Sequence, residues 1–113
     1  QVAQVSQLTE QWLELTKTIQ AQAQQSANEI GAASVDYLYF SGYVVSAYLW
    51  LKMAITAQQK IEEGNTDPFY AAKIKTAQFF FARILPRTST HFANIQAGGE
   101  SLFLLEPEEF KFD

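Results

Sequence analysis

The thirty residues from Ser34 to Glu63 contain one glycine, no proline, and apolar side chains on two faces at helical spacing. A run of that length and period restricts the chain to a helix-based fold, because a half-buried strand would alternate every second residue. Val35, Leu38, Gly42, Val45, Leu49 and Met53 line one face; Tyr37, Phe40, Val44, Tyr48, Leu51 and Ile55 line another. A helix apolar on two sides belongs at the centre of its assembly. Ser34 is placed as its N-cap, after a looser stretch around Asn28 and Gly31, and Gly64 supplies the left-handed position that commonly closes a helix.

The flanking segments carry simpler patterns. Val5, Leu8, Trp12, Leu15, Ile19 and Ala23 trace one stripe and predict a first helix from about Val2 to Ser26. Asp67 fits an N-cap, and Pro68 the first helical position, where its missing N–H costs nothing. From there Tyr70, Ile74, Ala77, Phe81, Ile84, Thr88, Phe92 and Ile95 keep one seam in register through Pro86. Pro86 cannot donate to the carbonyl of Ala82, so a bend is expected there. Gly98 and Gly99 end the helix.

The fold expected is all-α: an antiparallel up-down-up bundle of three long helices, the third kinked at Pro86, which a partner could complete to four helices. At 113 residues the chain makes a single domain, 1–113, with an acidic tail over 100–113. The chain opens on Gln1 with no signal-peptide pattern, and reads as a piece of a longer protein.

Composition excludes several function classes. Eight basic against twelve acidic residues give a net charge of −4, with Glu100, Glu106, Glu108, Glu109 and Asp113 concentrated at the end. No basic cluster exists to release counterions from nucleic acid, so nucleic acid is not expected as a partner. The absence of cysteine excludes disulfides and thiolate chemistry and fits a reducing, cytoplasmic setting. The apolar run from Tyr37 to Leu51 is shorter than the roughly 20 residues of a membrane span and is bounded by Asp36 and Lys52, so a buried helix is expected and no transmembrane span.

No catalytic or metal site is complete. His91 is the single histidine, and Thr88 stands three residues before it, so the Glu-x-x-His pairs of carboxylate bundles cannot form. A phosphate-accepting histidine of the phosphotransfer bundles would have Lys and Gly three and four residues later, where this chain has Asn94 and Ile95. The adjacent acids Glu62 and Glu63, and Glu108 and Glu109, read as solvated surface. Phosphate-binding glycine loops and nucleophile elbows are absent.

Phe79, Phe80 and Phe81 stand about 100° apart around a helix, so all three cannot enter one seam. Either the flanking rings fill grooves within a wide core or they form a contact surface. Tyr37, Phe40, Tyr43, Tyr48 and Trp50, with Tyr39 beside them, repeat the aromatic excess on the second helix. The interface candidates are therefore Tyr37, Phe40, Tyr43, Tyr48, Trp50, Phe79, Phe80 and Phe81.

The stretch Ala82-Arg83-Ile84-Leu85-Pro86-Arg87-Thr88, then Ile95-Gln96-Ala97-Gly98-Gly99-Glu100-Ser101-Leu102 and the ending Leu105-Glu106-Pro107-Glu108-Glu109-Phe110, resembles the C-terminal extension of bacterial acyl-CoA dehydrogenases. The likeness is to the larger members, which include the methylmercaptopropionyl-CoA dehydrogenases. Tyr37-Leu38, Lys52-Met53-Ala54 and Phe69-Tyr70-x-x-Lys73 agree in order and spacing. Gly98-Gly99 departs from the pattern, in which one glycine precedes a small residue. The resemblance implies a parent enzyme that uses FAD to oxidise an acyl-CoA thioester, with its flavin site and glutamate base upstream. It therefore implies no catalytic or cofactor-binding residue in this segment, and a homo-oligomer in which the segment meets the rest of its chain or a sister subunit. The competing reading is a freestanding interaction or apolar-ligand-binding bundle.

Overall fold

The computed structural model describes residues 1–110; Lys111, Phe112 and Asp113, the end of the expected acidic tail, lie outside the described residues. α1 spans Val2–Gln25 and buries Val5, Leu8 and Leu15, with Trp12 and Ile19 packed against the same core. One residue separates it from α2, Ala27–Glu62. Ser26 is extended (φ −157°, ψ 132°), gives its N–H to the Gln22 carbonyl, and accepts the Asn28 N–H on its hydroxyl at 3.3 Å.

That corrects the expected start of the central helix. Ser34 is no cap: its hydroxyl donates to the Gly31 carbonyl at 3.0 Å from within the helix. Gly31 is absorbed because a mid-helix glycine costs only about 1 kcal/mol against alanine, while an extra turn brings Ala33 into the core. The 36 residues of α2 make a rod on the order of 54 Å long.

Gly64, at φ +92°, closes α2, and the Asp67 carboxylate accepts the Phe69 N–H at 3.0 Å to open α3, Pro68–Phe79. Pro86 then does more than bend the run. Residues Phe80–Ile84 widen into a π turn, in which the Leu85 N–H reaches back to the Phe80 carbonyl; Leu85–Arg87 tighten into a 3-10 turn; and α4 resumes over Thr88–Ala97. A wide turn delays the side-chain rotation and a tight turn advances it, so the seam survives the break. Ala77, Phe81, Thr88 and Ile95 are buried along it, and Tyr70, Ile74, Ile84 and Phe92 half-buried. The Thr88 hydroxyl, buried at the repair, donates to the Leu85 carbonyl at 2.7 Å. After Gly98 two short 3-10 turns follow, Glu100–Phe103 and Pro107–Phe110, and the described residues contain no strand.

α2 is the spine. Trp12 Nε1–H donates to Ser41 Oγ at 2.8 Å, and four residues further along α1 the Thr16 hydroxyl meets the Tyr37 hydroxyl, four residues earlier on α2, at 2.7 Å. Phe92 of α4 lies against Phe40 (6.3 Å between centroids), and Phe80 stacks on Trp50 at 6.2 Å. Leu15, Phe40 and Ile95 are fully enclosed where the helices meet. Beyond Trp50, however, the buried positions of α2 and α3 are alanines alone: Ala54, Ala57 and Ala77.

The body measures 69 × 35 × 15 Å with a radius of gyration of 19.6 Å. A compact chain of this length would come to about 13 Å. The helices therefore form a plate, and a plate leaves broad faces uncovered.

Candidate docking face

On α2, the face that carries Phe40, Val44 and Ala47 is enclosed by α1 on one flank and by α3 and α4 on the other. The opposite face is bare. Leu38 is 71% exposed, Val35 62%, Leu49 50%, Val45 49% and Met53 38%, with Gly42 open in their midst. Isolated apolar residues on a surface are ordinary, but a contiguous row of aliphatic side chains along one helix marks an interaction site.

Two grooves extend the row. Between α1 and α2, a groove of about 520 Å³ is formed by Ile19, Ile30, Ala33, Tyr37 and Leu38. Between α2 and α3, one of about 420 Å³ is formed by Leu49, Met53, Ala57, Phe69 and Tyr70, with Lys52 and Lys73 on its rim. Lys73 Nζ stands 5.1 Å from the Phe69 ring centre and Lys52 Nζ 5.8 Å from that of Tyr48. Among the described residues neither ammonium has a carboxylate within salt-bridge distance.

The aromatic candidates divide. Phe40, Phe80 and Phe81 are core residues, Phe80 and Phe81 packing edge to face at 5.6 Å, so in this chain they present no surface to a partner. Tyr37, Tyr43 and Trp50 are half-buried and already engaged, with Thr16, His91 and Phe80 respectively. Tyr48 and Phe79 remain outward, at 53% and 58% exposure. The physical reason is volume: at the junction of three helical runs, large rings fill space that aliphatic side chains would leave void. The outward surface falls to the aliphatic row, which the residue pattern shows as a second stripe and which holds no aromatic side chain.

His91 joins two helices. Its Nδ1 lies 2.8 Å from Asp36 Oδ1, its ring stacks on Tyr39 (5.3 Å) and Tyr43 (5.9 Å), and Asn94 Nδ2 donates to the same Asp36 oxygen at 3.2 Å. This cluster ties α4 to α2. Among the described residues, no group of three or more His, Asp or Glu side chains could hold a metal ion. By length and composition alone α2 is apolar enough to cross a membrane. The bare row produces that result, while Asp36 and its partners bind the same helix into the fold.

The sequence matches the family described as acetyl-CoA dehydrogenase C-terminal like over residues 1–106. The chain belongs to that family. It is also 30% identical over 82 residues to the 3-methylmercaptopropionyl-CoA dehydrogenase of Ruegeria pomeroyi, an alignment that covers 73% of this chain and 14% of that protein. No solved structure matches it. For a C-terminal acyl-CoA dehydrogenase domain, the bare row of α2 is the feature that calls for a role.

Proposed function

We propose that this chain is a noncatalytic accessory domain of an FAD-dependent acyl-CoA dehydrogenase, an up-down-up bundle that serves subunit or interdomain packing through the uncovered face of α2. The observation that carries this is the row Val35, Leu38, Val45, Leu49 and Met53, aliphatic and open to solvent on the side of α2 turned away from its buried Phe40, Val44 and Ala47. Covering five such half-exposed side chains is worth about 1 kcal/mol each, or roughly 5 kcal/mol together. The flavin is expected elsewhere in the parent enzyme. Both large grooves here are lined by helix faces of mainly aliphatic and aromatic side chains, and the Phe69 N–H at the mouth of one is already bonded to Asp67. No residue of this chain is therefore assigned to hold the cofactor, and no step of the oxidation runs through it.

The groove volumes fall within the range of small-molecule sites, about 300 to 1,000 Å³, but such sites enclose most of their ligand. These grooves lie open along one side of a plate, which favours a macromolecular partner over a bound metabolite.

The test places Leu38→Glu and Leu49→Glu together in the acyl-CoA dehydrogenase that carries this domain. Sedimentation and dye-linked turnover are then compared with the unsubstituted enzyme. Loss of assembly or of heat resistance, with turnover of the assembled fraction retained, supports an assembly role. Unchanged assembly and stability would remove it.

A further inference from the structure

The bare row of α2 is graded in size. Its centre holds Gly42 and Val45, with Ser46 beside them, and its ends hold Leu38, Leu49 and Met53; Ser41 is turned toward α1, where it accepts from Trp12 Nε1. A Cβ added at Gly42 would meet no atom within 4 Å, so nothing within this chain requires the missing side chain. In a helix a glycine is itself unfavourable by about 1 kcal/mol. Small residues at the middle of an otherwise bulky stripe suit a second helix crossing closely at that point.

Antiparallel pairing of two α2 helices supplies such a crossing. With Val45 of one copy set against Gly42 of the other, two-fold symmetry repeats the contact and places Leu38 against Leu49 on both sides. The symmetry axis lies in the interface, so the α4 flank of one copy runs beside the α3 flank of the other.

That neighbourhood is complementary in charge. The α4 flank ends in the segment after Gly99, where Leu102, Leu104, Leu105 and Phe110 are exposed among Glu106, Glu108 and Glu109. Leu102 borders Ala32 of α2, and Ala32 comes level with Ile55 of the other copy, beside Thr56 and Ala57 of the apolar groove rimmed by Lys52 and Lys73. The segment follows the far end of its own α2, so this groove, near the C-terminal end of that helix, faces the tail of a partner. The row alone, about 27 Å long and 10 Å wide, covers on the order of 300 Å² per copy, short of the roughly 800 Å² of a standard interface. A tail in a groove at each end supplies further area.

Resting on the assembly role proposed above, we infer that the occupant of the bare face is a second copy of this chain. It docks antiparallel through Gly42 and Val45, with the acidic, apolar segment of each copy on the lysine-rimmed groove of the other.

The chain has no cysteine, so single cysteines report the register directly. Leu38→Cys and Leu49→Cys chains are mixed under mild oxidation and their disulfide-linked dimers measured against each variant alone, while sedimentation follows the unsubstituted chain and Gly42→Leu. The inference expects a mass twice 12.7 kDa, fast cross-linking only in the mixture, and monomers from Gly42→Leu with helix content retained. Lys52→Glu with Lys73→Glu should weaken the dimer, and Glu108→Lys with Glu109→Lys in the same chain should restore it. A chain that sediments as a monomer at every concentration, or cross-links faster through Leu38→Cys alone, overturns the inference. If the whole enzyme still loses assembly on Leu38→Glu with Leu49→Glu, the accessory role stands with another occupant; if it does not, both fall.

Discussion

Replacing Gly99 with alanine should destabilise this chain, whereas replacing Gly31 with alanine should stabilise it. Gly99 is buried against the N-terminal part of α2, where an added Cβ would fall 2.9 Å from the Ala32 Cβ and 3.2 Å from a Glu29 carboxylate oxygen. Carbon atoms rest about 3.5 to 4.0 Å apart, so the turn after α4 must move outward by more than half an ångström. Ala32 sits on a rigid rod and cannot yield. The movement stretches the 2.7 Å bond from the Gly99 N–H to Glu29 Oε2, and a hydrogen bond to a charged group is worth about 1.5 to 3 kcal/mol. A loss of about 2 kcal/mol follows, which lowers the melting temperature by roughly 8 to 15 °C in a domain of this size. At Gly31 the added methyl meets nothing within 4 Å, and ordinary helix propensity gives a gain of up to about 1 kcal/mol. Urea and thermal unfolding followed by far-ultraviolet circular dichroism, at one fixed protein concentration, measures both. Equal effects of the two substitutions, or a neutral Gly99→Ala, would refute the close approach of this turn to α2.

Three further outcomes separate core from surface. Phe40→Ala should cost about 3 to 5 kcal/mol, as for a fully enclosed ring, while Phe79→Ala should stay within about 0.5 kcal/mol in urea unfolding of the monomer. Ser26→Ala removes the cap of α2 and should cost about 1 kcal/mol; Ser34→Ala should cost less, because that hydroxyl only bonds back within the helix. Asp36→Ala strands His91 and Asn94 and should lower stability by about 1 to 2 kcal/mol, with faster amide hydrogen exchange in α4 than in the far end of α2.

The parts of the fold legible from the residues were those with one-sided patterns. The α1 stripe of Val5, Leu8 and Leu15 faces the core, and so does the seam from Tyr70 to Ile95, because in each case one apolar face had one place to go. The start of α2 was not legible. A single extended residue, Ser26, competes with the Asn28 to Gly31 stretch, and the difference rests on a cap and a few side chains' burial. Pro86 announced a lost donor, but the repair by a wide turn followed by a tight one depends on backbone geometry that residue types do not encode.

The candidate surface shows the same division. Two apolar stripes on α2 were visible, yet periodicity cannot say which stripe a chain covers itself. The rings of Phe40, Phe80 and Phe81 went inward and Leu38, Val45 and Leu49 stayed out. Of the phenylalanine triplet, the residue pattern required only that the three rings not share one seam; Phe80 and Phe81 are buried and Phe79 is exposed.

The most direct measurement is the reaction rate of a thiol reagent with Leu38→Cys, in the separate chain at high dilution and in the assembled acyl-CoA dehydrogenase that carries it. Leu38 is the most exposed side chain of the row, so a docked face predicts rapid labelling in the dilute chain and strong protection in the assembled enzyme. Equal rates in the two settings would contradict a docking role for α2.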